Sequence, residues 1–210
     1  MQTVKAAVLF ADLRGYTALA ERLAPADVLS RLHQFFGVQL SVVGNHGGQV
    51  FHVAGDSLMA GFALRRQGQD GGWAALACAQ AMLSGFDVLG EQWHCELGIA
   101  TALGVGVHFG EVAVGLLGPP RHEAWTLIGD TVNVAARLCD RARAGEVLFS
   151  AAVLDNVHST VHQPVYSGLG RESAIGAVSL PYRQLPSFAL RGRTAPVEIW
   201  CLPATERVRL

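Results

Sequence analysis

An α+β fold, an antiparallel sheet flanked by helices, is predicted by two features of the sequence. Strand and helix signals follow one another in the order β-α-β-β-α-β, and the longest helical segment carries a one-sided apolar stripe. That order is the split βαβ arrangement of ferredoxin-like and polymerase-palm folds. Extra strands are expected at the C-terminal end, and the whole chain, 1–210, is read as one domain.

The elements follow in order. Residues 4–11 are apolar and β-prone and stop at Asp12, which reads as a buried strand. Thr17 is expected to cap a short helix ending near Leu23, and Pro25 suits the first turn of a longer one. Val28, Leu29, Leu32, Phe35, Phe36, Leu40 and Val43 recur at helical spacing and give that helix its core-facing stripe. Residues 49–53 and 57–64 read as two strands joined tightly through Ala54, Gly55 and Asp56. A second long helix is predicted from Trp73 to about Gly90. Strands follow at 97–109 and 112–116, with a turn at Gly110-Glu111, and another at 124–128. Asp130 or Thr131 then caps a third helix running to about Arg143. Residues 147–149 form a strand, Ser150 opens a short helix, and 163–186 read as an irregular insertion. Strands at 188–190 and 197–202 close the domain.

Composition narrows the class of function. Half the residues are hydrophobic, enough for a sizeable core, and the formal net charge of −1 offers no bulk attraction to nucleic acid or an anionic membrane. No nucleic-acid or membrane partner is therefore expected. Cys78, Cys95, Cys139 and Cys201 are widely spaced and form no Cys-x-x-Cys pair, which speaks against a zinc site and for buried, reduced thiols. The N-terminus makes a poor signal peptide, and no stretch approaches the ~20 apolar residues of a membrane span. The expectation is a soluble, cytoplasmic chain that begins directly in its folded domain.

Two acids stand where an acid is otherwise unwelcome in a sheet. Asp12 ends the first strand and Asp56 occupies the turn of the following hairpin. In a split βαβ sheet these strands are neighbours, so the carboxylates converge at one end and repel unless a proton or cation lies between them. Mg²⁺ suits such a pair, because it takes hard oxygen ligands and leaves positions for water and phosphates. Leu13, Arg14, Gly15, Tyr16 and Thr17 follow as a turn opening a helix, whose free N–H groups suit a triphosphate.

Five segments then make a specific resemblance. Phe10-Ala11-Asp12-Leu13-Arg14-Gly15-Tyr16-Thr17 and, 44 positions on from Asp12, the motif around Gly55-Asp56-Ser57 resemble the two metal motifs of class III adenylyl and guanylyl cyclases. Gly104 to Val112 followed by Gly115 is similar to that family's central strand pair. Thr126 to Leu138, with Asn133 and Arg137, resembles its transition-state motif, and Leu190-Arg191-Gly192-Arg193 its final basic element.

The resemblance implies roles. Asp12 and Asp56, with the Leu13 carbonyl, would hold two Mg²⁺ or Mn²⁺ ions, whose charge activates the ribose 3′-hydroxyl and neutralises the triphosphate. Attack on the α-phosphate would give the 3′,5′-cyclic monophosphate and pyrophosphate. Asn133 would orient the ribose and Arg137 would stabilise charge on the α-phosphoryl oxygens. Outside the motif, Arg137 reads as a surface residue pairing with Asp140 or Glu146. Arg14, Gly15, Tyr16, Thr17, Arg191 and Arg193 would meet the phosphates. In the family the metal acids and the Asn/Arg pair come from different protomers. A single domain carrying both implies a head-to-tail homodimer with two shared sites, residues 118–123 reaching across.

The base-reading positions depart from the pattern. Thr126 fits an adenylyl subtype, but His52 stands where the family has Lys. A neutral His donates or accepts, so ATP ranks first, a pyrimidine triphosphate (giving cyclic CMP or UMP) second and GTP third. A catalytically silent, nucleotide-binding dimerisation module is the non-enzymatic alternative. A dinucleotide synthase would call for a Gly-Gly-acid-acid-Phe signature, which is absent.

Overall fold

The structure is a computed structural model that describes residues 2–64, 71–161, 182–189 and 195–202. Strand β1 (Gln2–Arg14) is longer than predicted and runs through Asp12 instead of ending there. Helix α1 (Tyr16–Arg22) starts at Gly15, whose φ of 89° is left-handed. Thr17 lies inside α1 and does not cap it; a Cβ on Gly15 would come 2.5 Å from the Ala100 carbonyl, so the turn requires glycine. Helix α2 (Pro25–Asn45) opens on Pro25 as expected. Strands β2 (Gln49–Ala54) and β3 (Ser57–Phe62) form the predicted hairpin.

Helix α3 (Gly71–Leu97) extends past its predicted limits at both ends. It is long and apolar enough to cross a membrane by length and composition, unlike anything expected from the sequence. Its Leu76, Ala79, Met82, Phe86 and Trp93 are buried in the core of this domain, so that apolar length is used internally. Strand β4 (Ala102–Leu117) is a single strand of 16 residues. The turn expected at Gly110-Glu111 is absent because β1 pairs with β4 without interruption from Gln2↔Val114 to Arg14↔Ala102. After β5 (Ala124–Ile128) come α4 (Asp130–Arg141), β6 (Val147–Ser150), α5 (Ala151–Val161), β7 (Arg183–Phe188) and β8 (Val197–Leu202). Gly129, not Asp130 or Thr131, caps α4. Residues 183–186, assigned to the insertion, lie in β7, which pairs with β8 and shifts register between Leu185 and Phe188. Pro186, which has no N–H to give the ladder, sits in that irregularity. Residues 163–181 of the insertion lie outside the described residues.

The described strands build one eight-stranded sheet in the order β2-β3-β1-β4-β6-β8-β7, with β5 paired to the far half of β4. Its first four strands are all antiparallel in the split βαβ order that the sequence predicts. Alternation along β1 sorts the two faces. Ala7, Leu9, Ala11 and Leu13 enter the large core with Phe35 of α2, Phe86 and Trp93 of α3 and Val153 of α5. Val4, Ala6 and Val8 join Met59, Val112, Leu127 and Ala135 on the face covered by α4. Asp12 has the parity of Val8 and stands on that second face.

The α2 stripe is rotated from its predicted setting. Val28, Phe35, Gln39 and Val43 point inward, while Leu29 and Leu40 are exposed. Phe35, Phe86 and Trp93 stack edge to face at centroid distances of 5.7 Å, which fixes how α2 meets α3.

Helix α4 lies directly on a glycine track. A Cβ at Gly106 would land inside the backbone of Ala135 and Cys139, and one at Gly110 would sit 2.6 Å from the Thr131 hydroxyl. Gly106→Ala is therefore expected to destabilise the fold by about 1–3 kcal/mol through overpacking, read from urea unfolding at unchanged m-value.

Candidate active site

The β2–β3 hairpin delivers Asp56. Gly55, at φ 59°, makes the turn tight, and Ala54 pairs with Ser57 across it. Asp12 pairs in register with Ser57, and the Leu13 N–H donates to the Asp56 carbonyl at 3.2 Å. The two acids therefore stand side by side at one end of the sheet, as predicted. Burial raises the pKa of Asp56, and the negative charge of Asp12 raises it further. The pKa of Asp12 is also raised, chiefly by burial; the Arg14 guanidinium offsets part of that rise, and the charge of Asp140 adds a smaller one.

Two half-buried carboxylates that resist ionisation beside each other, next to a backbone carbonyl, form a donor set that fits a hard divalent cation. Among the described residues no group of three or more His, Cys, Asp or Glu side chains could hold a metal. A bound ion would depend on Asp12, Asp56 and backbone, water or substrate oxygens.

Arg14 does not stand free for a phosphate. Its Nη1 donates to Asp12, its Nη2 to the Cys139 carbonyl and its Nε to the Ala142 carbonyl at 3.2 Å. The Tyr16 ring packs against the main core, and the backbone N–H groups of Gly15, Tyr16 and Thr17 stand at the start of a seven-residue helix. Asn133 and Arg137 share the exposed side of α4, one turn apart, while Val134, Ala135 and Leu138 are buried beneath them. The surface pairing expected for Arg137 is with Asp140, at 3.5 Å. Glu146 instead bonds the Arg143 N–H and lies 3.8 Å from Arg183.

His52 is exposed on the edge strand β2, opposite Met59 and just past a register shift. Thr126 is half-buried on β5, opposite Gly115. Their neighbours Phe51 and Leu127 pack in one cluster, which brings the two positions into the same region. Arg191 and Arg193 lie outside the described residues. Cys78, Cys139 and Cys201 are buried, with pKa values pushed up by desolvation to about 12, about 12 and about 11. Cys95 is exposed, contrary to expectation.

Sequence reasoning missed Gly104, Cys139 and Ala142 as the seat of Arg14. Only the run of alternating glycines in β4 hinted that something must lie flat on that strand.

Residues 1–167 match the family described as the adenylate and guanylate cyclase catalytic domain. An uncharacterized protein of Mycobacterium tuberculosis is 34% identical over 151 residues, 71% of this chain and 26% of that protein. The chain thus spans about a quarter of the length of the curated relatives it matches first. In structure it is similar to the adenylyl cyclase CyaB from P. aeruginosa, with a TM-score of 0.83 at 24% identity, covering 98% of this chain and 97% of that one. It is also similar to the guanylyl cyclase Cya2, with a TM-score of 0.77 at 25% identity, covering 100% and 97%.

The crowded acids set a stability signature for the metal-free protein. A carboxylate whose folded pKa is raised binds more protons folded than unfolded, so stability falls as pH climbs from below 3.8 through the raised value. Asp56→Asn removes that cost. In chelator at pH 7 its thermal midpoint should exceed wild type by up to about 2 °C, small because the site is partly solvated. The stabilisation that Mn²⁺ gives the wild type should be lost in the same variant.

Proposed function

The chain belongs to the adenylate and guanylate cyclase catalytic-domain family, class III, and from that premise we propose that it converts ATP to 3′,5′-cyclic AMP and pyrophosphate as a head-to-tail homodimer. The observation that carries the reading is the side-by-side placement of Asp12 and Asp56, each disfavoured as an isolated anion.

Asp12, Asp56 and the Leu13 carbonyl would hold two Mg²⁺ or Mn²⁺ ions, which supply the charge that makes a ribose hydroxyl a nucleophile and offsets the triphosphate. The chain's own groups do the rest. Backbone N–H groups at Gly15–Thr17 are assigned to the triphosphate, and Arg191 and Arg193 to its β- and γ-phosphates. Asn133 orients the ribose. Arg137 leaves its exposed pairing with Asp140 to meet charge developing on the α-phosphoryl oxygens, an exchange that costs little because exposed pairs are weak.

Support for a dimer comes from the β4–β5 hairpin. Leu116, Leu117, Trp125 and Ile128 are each more than half exposed there, a patch that a second copy would cover. In this arrangement Asp12 and Asp56 of one protomer meet Asn133 and Arg137 of its partner. Thr126 and His52 are assigned to the base. His52, exposed and able to donate or accept, also favours a second reading in which a pyrimidine triphosphate is the substrate. A cytoplasmic setting, where triphosphates are made, goes with either.

Purified protein incubated with ATP, GTP, CTP and UTP plus Mn²⁺ should yield one dominant cyclic product by mass, cyclic AMP under the first reading. No cyclic product from any of the four would sink the enzyme reading. Arg137→Ala should lower kcat by about 10²–10³ with a small change in KM, the pattern of a contact made in the transition state. Mixing inactive Asp12→Ala and inactive Arg137→Ala chains should restore activity at one shared site; no recovery would reject the homodimer assignment.

A further inference from the structure

Arg14 is committed inside the fold. Its guanidinium binds the Asp12 carboxylate on one side and the Cys139 and Ala142 carbonyls on the other. Those carbonyls lie at the end of α4, where a cation suits the dipole, and the Cys139 carbonyl accepts the Ala142 N–H at 3.0 Å as well as the guanidinium. Gly104 provides the floor: a Cβ there would sit 2.6 Å from both Nε and Nη2 of Arg14. The Cys139 thiol donates to the Gly104 carbonyl at 3.4 Å and closes the seat. Arg14 and Asp12 retain only 26% and 30% side-chain exposure, so the pair is better shielded than the exposed Arg137–Asp140 pair.

We infer that Arg14 is a positioning residue with two linked tasks: it occupies Asp12 in competition with the metal, and it ties the metal strand to the end of the helix presenting Asn133 and Arg137. The inference rests on the two-metal reading above. In a head-to-tail dimer, Asp12 serves one site while Arg137 of the same chain serves the other. Arg14 is then a hydrogen-bonded link, within one chain, between halves of two different sites. With a cation held at Asp12, Arg14 would give up its Nη1 contact while its other nitrogens keep their hold on the Cys139 and Ala142 carbonyls.

The test reads Mn²⁺ binding to nucleotide-free protein by electron paramagnetic resonance, beside steady-state kinetics. Arg14→Gln should bind Mn²⁺ roughly fivefold tighter, the worth of a partly shielded ion pair. It should also lose kcat with little change in the KM for triphosphate, because α4 is less firmly held. Gly104→Ala, which keeps the arginine but pushes it off its seat, should shift Mn²⁺ binding in the same direction. Arg14→Lys keeps the charge beside Asp12 but cannot reach both carbonyls, so it should retain wild-type Mn²⁺ affinity and still lose kcat.

Unchanged or weaker Mn²⁺ binding in both Arg14→Gln and Gly104→Ala would overturn the inference. So would a raised KM at intact kcat in Arg14→Gln, the mark of a direct phosphate contact. If Arg14→Gln does not melt cooperatively, Gly104→Ala and Arg14→Lys decide the question. Asp12→Ala is the control for the parent reading. If that variant still binds Mn²⁺ like wild type, the metal assignment itself fails; if it does not, a null result at Arg14 removes only the link.

Discussion

The close approach of α4 to β4 is the constraint from which the site's layout follows. Packed layers of secondary structure ordinarily stand about 10 Å apart, the side chains between them filling the gap. Here Gly106 removes the side chain beneath Ala135 and Cys139, and Gly110 leaves room for the Thr131 hydroxyl, which donates to the Glu111 carbonyl at 2.7 Å. The helix settles onto the strand backbone and cannot roll. With Val134 and Leu138 buried, Asn133, Arg137 and Asp140 are forced outward. The same contact puts the last carbonyls of α4 within reach of Arg14.

A second consequence concerns electrostatics. Asp12 is placed by its parity on the face covered by α4, and so loses water on one side and gains Asp140 as a like-charged neighbour. Asp56 loses water in its tight hairpin and faces Asp12. The fold thus holds two carboxylates in an environment that penalises their charge, which stores an appetite for cations at one sheet end. Arg14 relieves part of that penalty at Asp12, whose pKa stays raised all the same. Asp56 also feels the guanidinium, more weakly than it feels its own desolvation and the charge of Asp12.

Much of this was legible in the chain itself. The split βαβ order appears in the sheet as β2-β3-β1-β4, because apolar periodicity and glycine turns are local signals that tertiary packing had no reason to override. Asp12 and Asp56 were found because an acid interrupting a buried strand and an acid in a Gly turn are conspicuous. The break expected at Gly110-Glu111 was misread for a physical reason: glycine in a strand signals either a turn or a close neighbour. In β4 it was the neighbour. The α2 stripe was mis-set because Gln39, a polar residue, lies fully buried where Leu40 was expected.

What the sequence determined by itself was therefore the order of elements, the two acids and the Asn133–Arg137 spacing, all carried by residues close along the chain or by motifs of fixed length. The tertiary structure alone decided where Arg14 goes. Its position beside Gly15 and Thr17 suggests a phosphate contact, yet its partners Cys139 and Ala142 lie more than 120 residues away. No local pattern encodes that choice. It follows from the register that sets Asp12 opposite Gly104, and from a helix seated so low on that strand that its terminal carbonyls compete for the nearest cation.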